Sequence, residues 1–274
     1  MATLVCFHAH PDDECIQTGG TMAQAAADGH RVVLVVATRG ERGEVSPGVL
    51  SDGEALWQRR IAETFESARV LGAARVEFLG YVDSGMIGEP SNDDPYSFFS
   101  ADIEHAANRL AAILREESAD VLTAYDHHGG YGHPDHIQVH RVGLRAAEIA
   151  KTPVVLQATM NRDQIMAGLA EERAAAEVAR EVANEEPLTT SEPDFEPPAD
   201  FGEPEVNITH AVDVARHLDA KRAAMAAHGS QIPQDSWFLT MDDDRFARAF
   251  GTEWFIRVGQ PRGAGAPMRT SIWE

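Results

Sequence analysis

The stretch RVVLVVA, residues 31–37, is an unbroken apolar run rich in β-branched side chains. A strand with one face in water alternates apolar and polar residues. A run with almost no polar position needs cover on both faces, as in a parallel sheet clad with helices. The neighbouring segments meet that demand. Short apolar runs at 4–8, 76–79, 120–124 and 153–157 alternate with helix-like segments at 18–28, 54–71, 103–114 and 137–149. Within 54–71, Leu56, Ile61, Phe65, Ala68 and Leu71 recur at helical spacing, and Gly72 supplies the stop. The alternation predicts an α/β fold, Rossmann-like, with a mostly parallel sheet and helices on both faces.

Past residue 160 the pattern changes. An Ala/Glu-rich helix is expected over 163–182, then a Pro- and acid-rich stretch over 186–205 that reads as loop or disordered. A short run at 206–208, a helix over 212–227 and a closing apolar segment at 254–258 follow. Residues 1–160 therefore read as an α/β core, and 161–274 as a C-terminal elaboration of the same domain.

The formal net charge is −21, and between Glu171 and Glu205 twelve acids face only two bases. A surface of that sign repels phosphate backbones and anionic lipid, which disfavours nucleic-acid and membrane partners. The acidic segment itself reads as a solvated loop. Cys6 and Cys15 are too few, and too placed within an apolar strand and beside acids, to form a disulfide framework. With no leader pattern and no bilayer-length run, the chain reads as cytoplasmic.

In an open α/β sheet, ligands bind beyond the carboxyl ends of the strands. Three stretches reach that edge: 8–14 after the first strand, 38–41 after the second and 126–136 after the fourth. The first contains AHPDDE, the last DHHGGYGHPDH, and five of the 12 histidines fall between His127 and His140. Adjacent acids repel one another and have no packing use, so AHPDDE points to a positive charge nearby. A catalytic zinc site takes three protein ligands and leaves a position for water. His10 and Asp13 with a histidine of the second loop meet that count, and one acid stays free to act as base. Ferrous iron or another divalent ion accepts the same mixed set. Alone, HPDD also fits a turn with an aspartate cap; it is the pairing with GHPDH that favours a metal. No GxGxxG follows the first strand and no GxSxG is present, which disfavours dinucleotide binding and a serine-hydrolase elbow.

AHPDDE with GHPDH downstream resembles the LmbE/PIG-L family of zinc-dependent N-acetylglucosaminyl deacetylases, with a similar layout over about residues 3–160. TRGERGE at 38–44, RIAE at 60–63, VDSGM at 82–86 and AHGSQ at 227–231 are similar to the actinobacterial branch that acts on mycothiol precursors and conjugates. The resemblance implies metal ligands His10, Asp13 and His136, with Asp12 as general base. It implies His133 as oxyanion stabiliser or proton donor, and Asp135 as the group fixing the His133 tautomer. Arg60 and Asp83 would grip sugar hydroxyls, and Tyr131 would stand beside the scissile carbonyl. The implied reaction removes acetyl from the amine of a glucosamine-containing small molecule. An amidase of mycothiol S-conjugates with the same mechanism, and a non-catalytic metal- or sugar-binding module, are the alternatives.

Several positions carry a second reading. Arg60 can pair with Glu63 along its helix, Asp83 can open a turn with Ser84 and Gly85, and Tyr131 can be a packing residue. His140 can join the ligands or be structural, His8 can pack behind His10, and His228 and Gln231 can approach the pocket from the C-terminal part. Three features depart from the family pattern: Cys15, close enough to the proposed metal to invite oxidation or inhibition, the pair His127-His128, and the acidic insertion 171–205.

Overall fold

The computed structural model describes residues 1–45, 48–183 and 201–274, with backbone alone at 172 and 175–183. Among these residues, seven strands form one sheet in the order β3-β2-β1-β4-β5-β7-β6. The first five, β1 (Thr3–His8), β2 (Arg31–Thr38), β3 (Arg75–Tyr81), β4 (Val121–Tyr125) and β5 (Val154–Thr159), run parallel, with Val5 opposite both Val33 and Leu122. All of β1 and β4, and β2 from Val32 onward, are buried. Helices on both faces leave no place for a polar outer side, which explains the unbroken apolar runs.

Helices α1 (Asp13–Gln17), α2 (Gly19–Ala27) and α3 (Leu56–Val70) connect the first three strands. α4 (Ile103–Glu116) leads into β4; the short turn α5 (Gly129–Gly132) and α6 (Pro134–Ala150) lead on to β5. α4 packs against α6, whereas α2 and α3 pack against α8 (Leu218–Ala227), which follows α7 (Arg162–Ala183). Right-handed crossovers that travel in opposite directions from β1 put these two groups on opposite faces. The reversal lies between β1 and β4, so the loops after those strands open onto one crevice.

The C-terminal part completes the sheet. β7 (Thr252–Arg257) adds antiparallel to β5, and β6 (His210–Asp213) antiparallel to β7. The helix expected over 212–227 is shorter than its apolar spacing implied: Val212 lies in β6 and the helix begins at Leu218. Val212 is buried at the sheet edge, and the ladder to β7 takes the backbone groups that a helix would have used internally. Most of the expected loop 186–205 lies outside the described residues. In the described residues 201–205, Phe201 and Glu203 are buried, and Glu203 exchanges backbone hydrogen bonds with Met160 and Arg162. Among the described residues no helix is long and apolar enough to cross a membrane.

One buried ion pair fastens the C-terminal part to the core. Lys221 Nζ of α8 lies 2.5 Å from Glu253 Oε1 of β7, and the Glu253 carboxylate accepts the Gly20 and Thr21 amides at the start of α2, each at 2.8 Å. Removing one partner of such a pair strands the other charge away from water. Lys221→Ala should cost about 3–5 kcal/mol of unfolding free energy, read by denaturant titration. A loss below ~1 kcal/mol would show that Glu253 is satisfied by the helix amides alone.

Candidate active site

The loops after β1 and β4 converge. The imidazoles of His10 and His136 have ring centroids 5.3 Å apart, and His133 sits 4.6 Å from the first and 5.2 Å from the second. Asp13 joins them through one oxygen: Oδ2 stands 3.4 Å from His10 Nδ1 and 3.3 Å from His136 Nε2. Those spacings match the ligand-to-ligand edge of a tetrahedron with bonds of about 2.1 Å.

The remaining ring nitrogens are committed elsewhere. His10 Nε2 faces Asp135 Oδ2 at 3.1 Å and His136 Nδ1 faces the Gly129 carbonyl at 3.1 Å, so each ring carries its proton there. His10 Nδ1, turned towards Asp13, and His136 Nε2, a fully buried nitrogen with no hydrogen-bond partner, are the ring atoms left to face a cation. This donor set fits a divalent cation, with the second hydrogen bond of each imidazole fixing its orientation. The charge balance agrees. Burial alone would lower the His10 pKa, but the carboxylates of Asp13, Asp135 and Asp83 outweigh it and hold it well above the ordinary value. Burial would raise Asp13, yet His136 and His10 hold it well below the usual carboxylate range. Three acids around one imidazole make a field that a cation neutralises.

Close backbone approach builds this cradle. Gly129 has φ +63, and a Cβ there would lie 2.5 Å from His136 Cβ, so only glycine lets the loop carbonyl reach the ring. Pro134 opens α6 and the His133 side chain caps it, Nδ1 accepting from the Asp135 amide at 3.1 Å. That bond leaves the ring proton on Nε2. Burial, then the neighbouring His10 and His136, bring the His133 pKa down to about 4, so the ring is a neutral donor.

Asp12 borders the cradle in a strained conformation, φ +100, uncommon for a residue with a side chain. Its carboxylate meets Arg60 Nη2 at 3.2 Å. Burial pushes its pKa up to about 6 against the pull of that guanidinium.

A family model described as PIG-L, GlcNAc-PI de-N-acetylase, matches residues 5–147. A deacetylase of Thermomonospora curvata, named for 1D-myo-inositol 2-acetamido-2-deoxy-α-D-glucopyranoside, is 41% identical over 95% of this chain and 91% of its own. The chain belongs to the PIG-L family. A Thermobifida fusca relative of the same name is 42% identical over 96% of this PIG-L protein and 95% of itself. Among solved structures, the N,N'-diacetylchitobiose deacetylase of Pyrococcus horikoshii superposes with a TM-score of 0.59 at 20% identity, covering 93% of this chain and 83% of that one. A Pseudomonas putida 4-carboxy-2-hydroxymuconate hydratase superposes nearly as well, TM-score 0.57 at 19% identity over 96% and 98%. The fold alone thus does not decide the reaction.

The other expected residues of this PIG-L protein are distributed as follows. Asp135 does not direct its carboxylate at His133: it faces His10 and accepts from the Ser84 amide at 2.9 Å and the Ser84 hydroxyl. Only its backbone N–H fixes the His133 tautomer, because the first turn of α6 aims the side chain across to the loop after β3. Arg60 is buried and pairs with Asp12 rather than Glu63. Its guanidinium also donates to the carbonyls of Gly40 (2.9 Å) and Pro11 (2.5 Å). Gly40 has φ +67, and a Cβ there would lie 2.2 Å from Arg60 Nη1. Glu63 accepts from Ser230. Asp83 makes the turn to Gly85 N (2.9 Å) and also lies 3.6 Å from His10 Nε2. Tyr131 is 43% exposed at the mouth, its ring 4.9 Å from His136.

His140 does not reach the cradle; it binds the Tyr125 carbonyl and Gln157. His8 packs behind the site between the hydroxyls of Tyr125 and Thr18. His228 is fully buried against Glu14, and Gln231 donates to the Glu44 carbonyl. Cys15 is fully buried and points its thiol at the Asp12 carbonyl. His127 and His128, their rings tilted 40° with centroids 3.7 Å apart, lie beside Glu203. Sequence reasoning missed Ser84, which anchors Asp135, and the role of Glu14; an acid following two functional acids was the available signal for the second.

Proposed function

We propose that this PIG-L protein hydrolyses the N-acetyl group of a glucosamine-containing small molecule, of the class named for its 41–42% identical relatives, with a divalent cation, zinc first, held by His10, Asp13 and His136. The observation that carries the reading is the convergence of two ring nitrogens, His10 Nδ1 and His136 Nε2, and one carboxylate oxygen at ligand spacing, flanked by an acid and a neutral imidazole donor. The cation, when bound, supplies Lewis acidity and a water acidified towards neutral pH. Asp12 takes the proton of the attacking water: burial raises its basicity, while Arg60 and a neighbouring cation keep it ionised. His133 Nε2–H donates to the amide oxygen as negative charge grows there. The proton held by Asp12 then passes to the nitrogen as the C–N bond breaks, giving acetate and a free amine.

Asp135 and Asp83 are read as holding His10, Asp135 by a direct hydrogen bond, and Arg60 as positioning Asp12. Asp83 and Tyr131, at the crevice, are the candidates for sugar contact. A free-amine assay over a panel of N-acetylglucosaminides, with a mycothiol S-conjugate as competitor substrate, tests the reading. The inositol-linked glucosaminide should give the highest kcat/KM, by at least tenfold. Preference for the S-conjugate would replace deacetylation with the larger amide cleavage.

A further inference from the structure

Glu14 and His228 are fully buried and hydrogen-bonded to each other at 2.6 Å, although neither touches the cation cradle. Glu14 has two jobs. Its Oε1 accepts from His228 and from the Ser67 hydroxyl at 2.5 Å, while its Oε2 accepts the Asp12 backbone N–H at 3.0 Å. On the other side of the same residue, the Cys15 thiol donates to the Asp12 carbonyl at 2.8 Å. Asp12 is the residue at φ +100. Strained backbone of this kind persists only where surrounding groups over-determine it. Here both peptide groups of Asp12 are held.

We infer that His228, through Glu14, is a positioning residue for the base: it fixes the carboxylate that keeps Asp12 in its strained conformation and aims its side chain at the crevice. The turn bearing His228 is itself pinned, because Ser230 donates twice to Glu63 of α3, by amide at 2.8 Å and by hydroxyl at 2.6 Å. The C-terminal part therefore reaches beneath the first catalytic loop and sets the geometry of its central acid. Glu14, Cys15 and His228 also lie close enough together to suggest a second metal site. The Cys15 thiol is spent on the Asp12 carbonyl and His228 Nε2 on Glu14 Oε1, so the cluster works as a hydrogen-bond strut.

This inference rests on Asp12 being the base, and one set of variants separates the two. His228→Ala should lower kcat roughly 10- to 100-fold, the scale expected of a misaligned catalytic group, with KM within about threefold and the metal content of the purified protein unchanged. His228→Gln retains a donor towards Glu14 and should recover most of that loss. It also serves if the alanine variant does not fold. Full activity in both, a fall in metal content matching the fall in kcat, or a glutamine variant no better than alanine would overturn the strut. Unchanged turnover in Asp12→Asn would instead overturn the assignment of the base, whatever the His228 variants do.

Discussion

Asp12→Asn should lower kcat by roughly 10²- to 10⁴-fold, the range that a positioned general base contributes, while leaving the cation in place. The asparagine is close to isosteric, and a carboxamide can still accept from Arg60 at the Oδ2 position. What it loses is the capacity to take a proton. Asp12 is not among the groups facing His10 Nδ1 and His136 Nε2; Asp13, through Oδ2, is. Metal analysis of the variant should therefore match the parent. Parallel loss of metal and activity would mean that Asp12 is a ligand, and an undiminished kcat would remove it from the reaction altogether.

Chelation carries the second large effect. Stripping the protein with a strong chelator should remove about one divalent ion per chain, abolish turnover, and be reversed by adding zinc or ferrous iron. The same treatment should lower Tm. A ligand present at a thousand times its Kd stabilises by about 4 kcal/mol, and that term vanishes with the ion. The loss here has a specific origin, since Asp13, Asp83 and Asp135 surround His10 and would have only a proton to balance them. Calorimetry on the stripped and reconstituted protein measures it. Full activity in protein shown to be metal-free would end the reading of the cradle.

β1, β2 and β4 were legible because burial on both faces leaves its mark in composition, most clearly at Val32–Ala37, whereas the less buried β3 and β5 were read from short apolar runs between helical segments. The antiparallel return of β6 and β7 was not. Direction has no compositional signature, and Val212, one residue from the end of an edge strand, shares its apolar character with the helix that begins six residues later. At the site, residue identities could be read from two short motifs, but orientations could not. Nothing in GHPDH says that Asp135 turns to Ser84 and His10 while its backbone serves His133. Arg60 shows the same limit. Its helical neighbour Glu63 was an equally good partner on paper, and only the glycine-lined approach past Gly40 brings the guanidinium to Asp12.

His228 lies 214 residues downstream of the glutamate it binds, and that separation has a consequence for biosynthesis. A chain emerging from the ribosome has both cation-binding loops once His136 is made, yet another 92 residues must follow before the histidine that braces Glu14 exists. At about 5–20 residues per second, translation crosses that interval on the order of ten seconds. On the proposed roles, all three ligands are synthesised before the histidine that braces Asp12, and full turnover is expected only after the tail folds back under the amino-terminal loop.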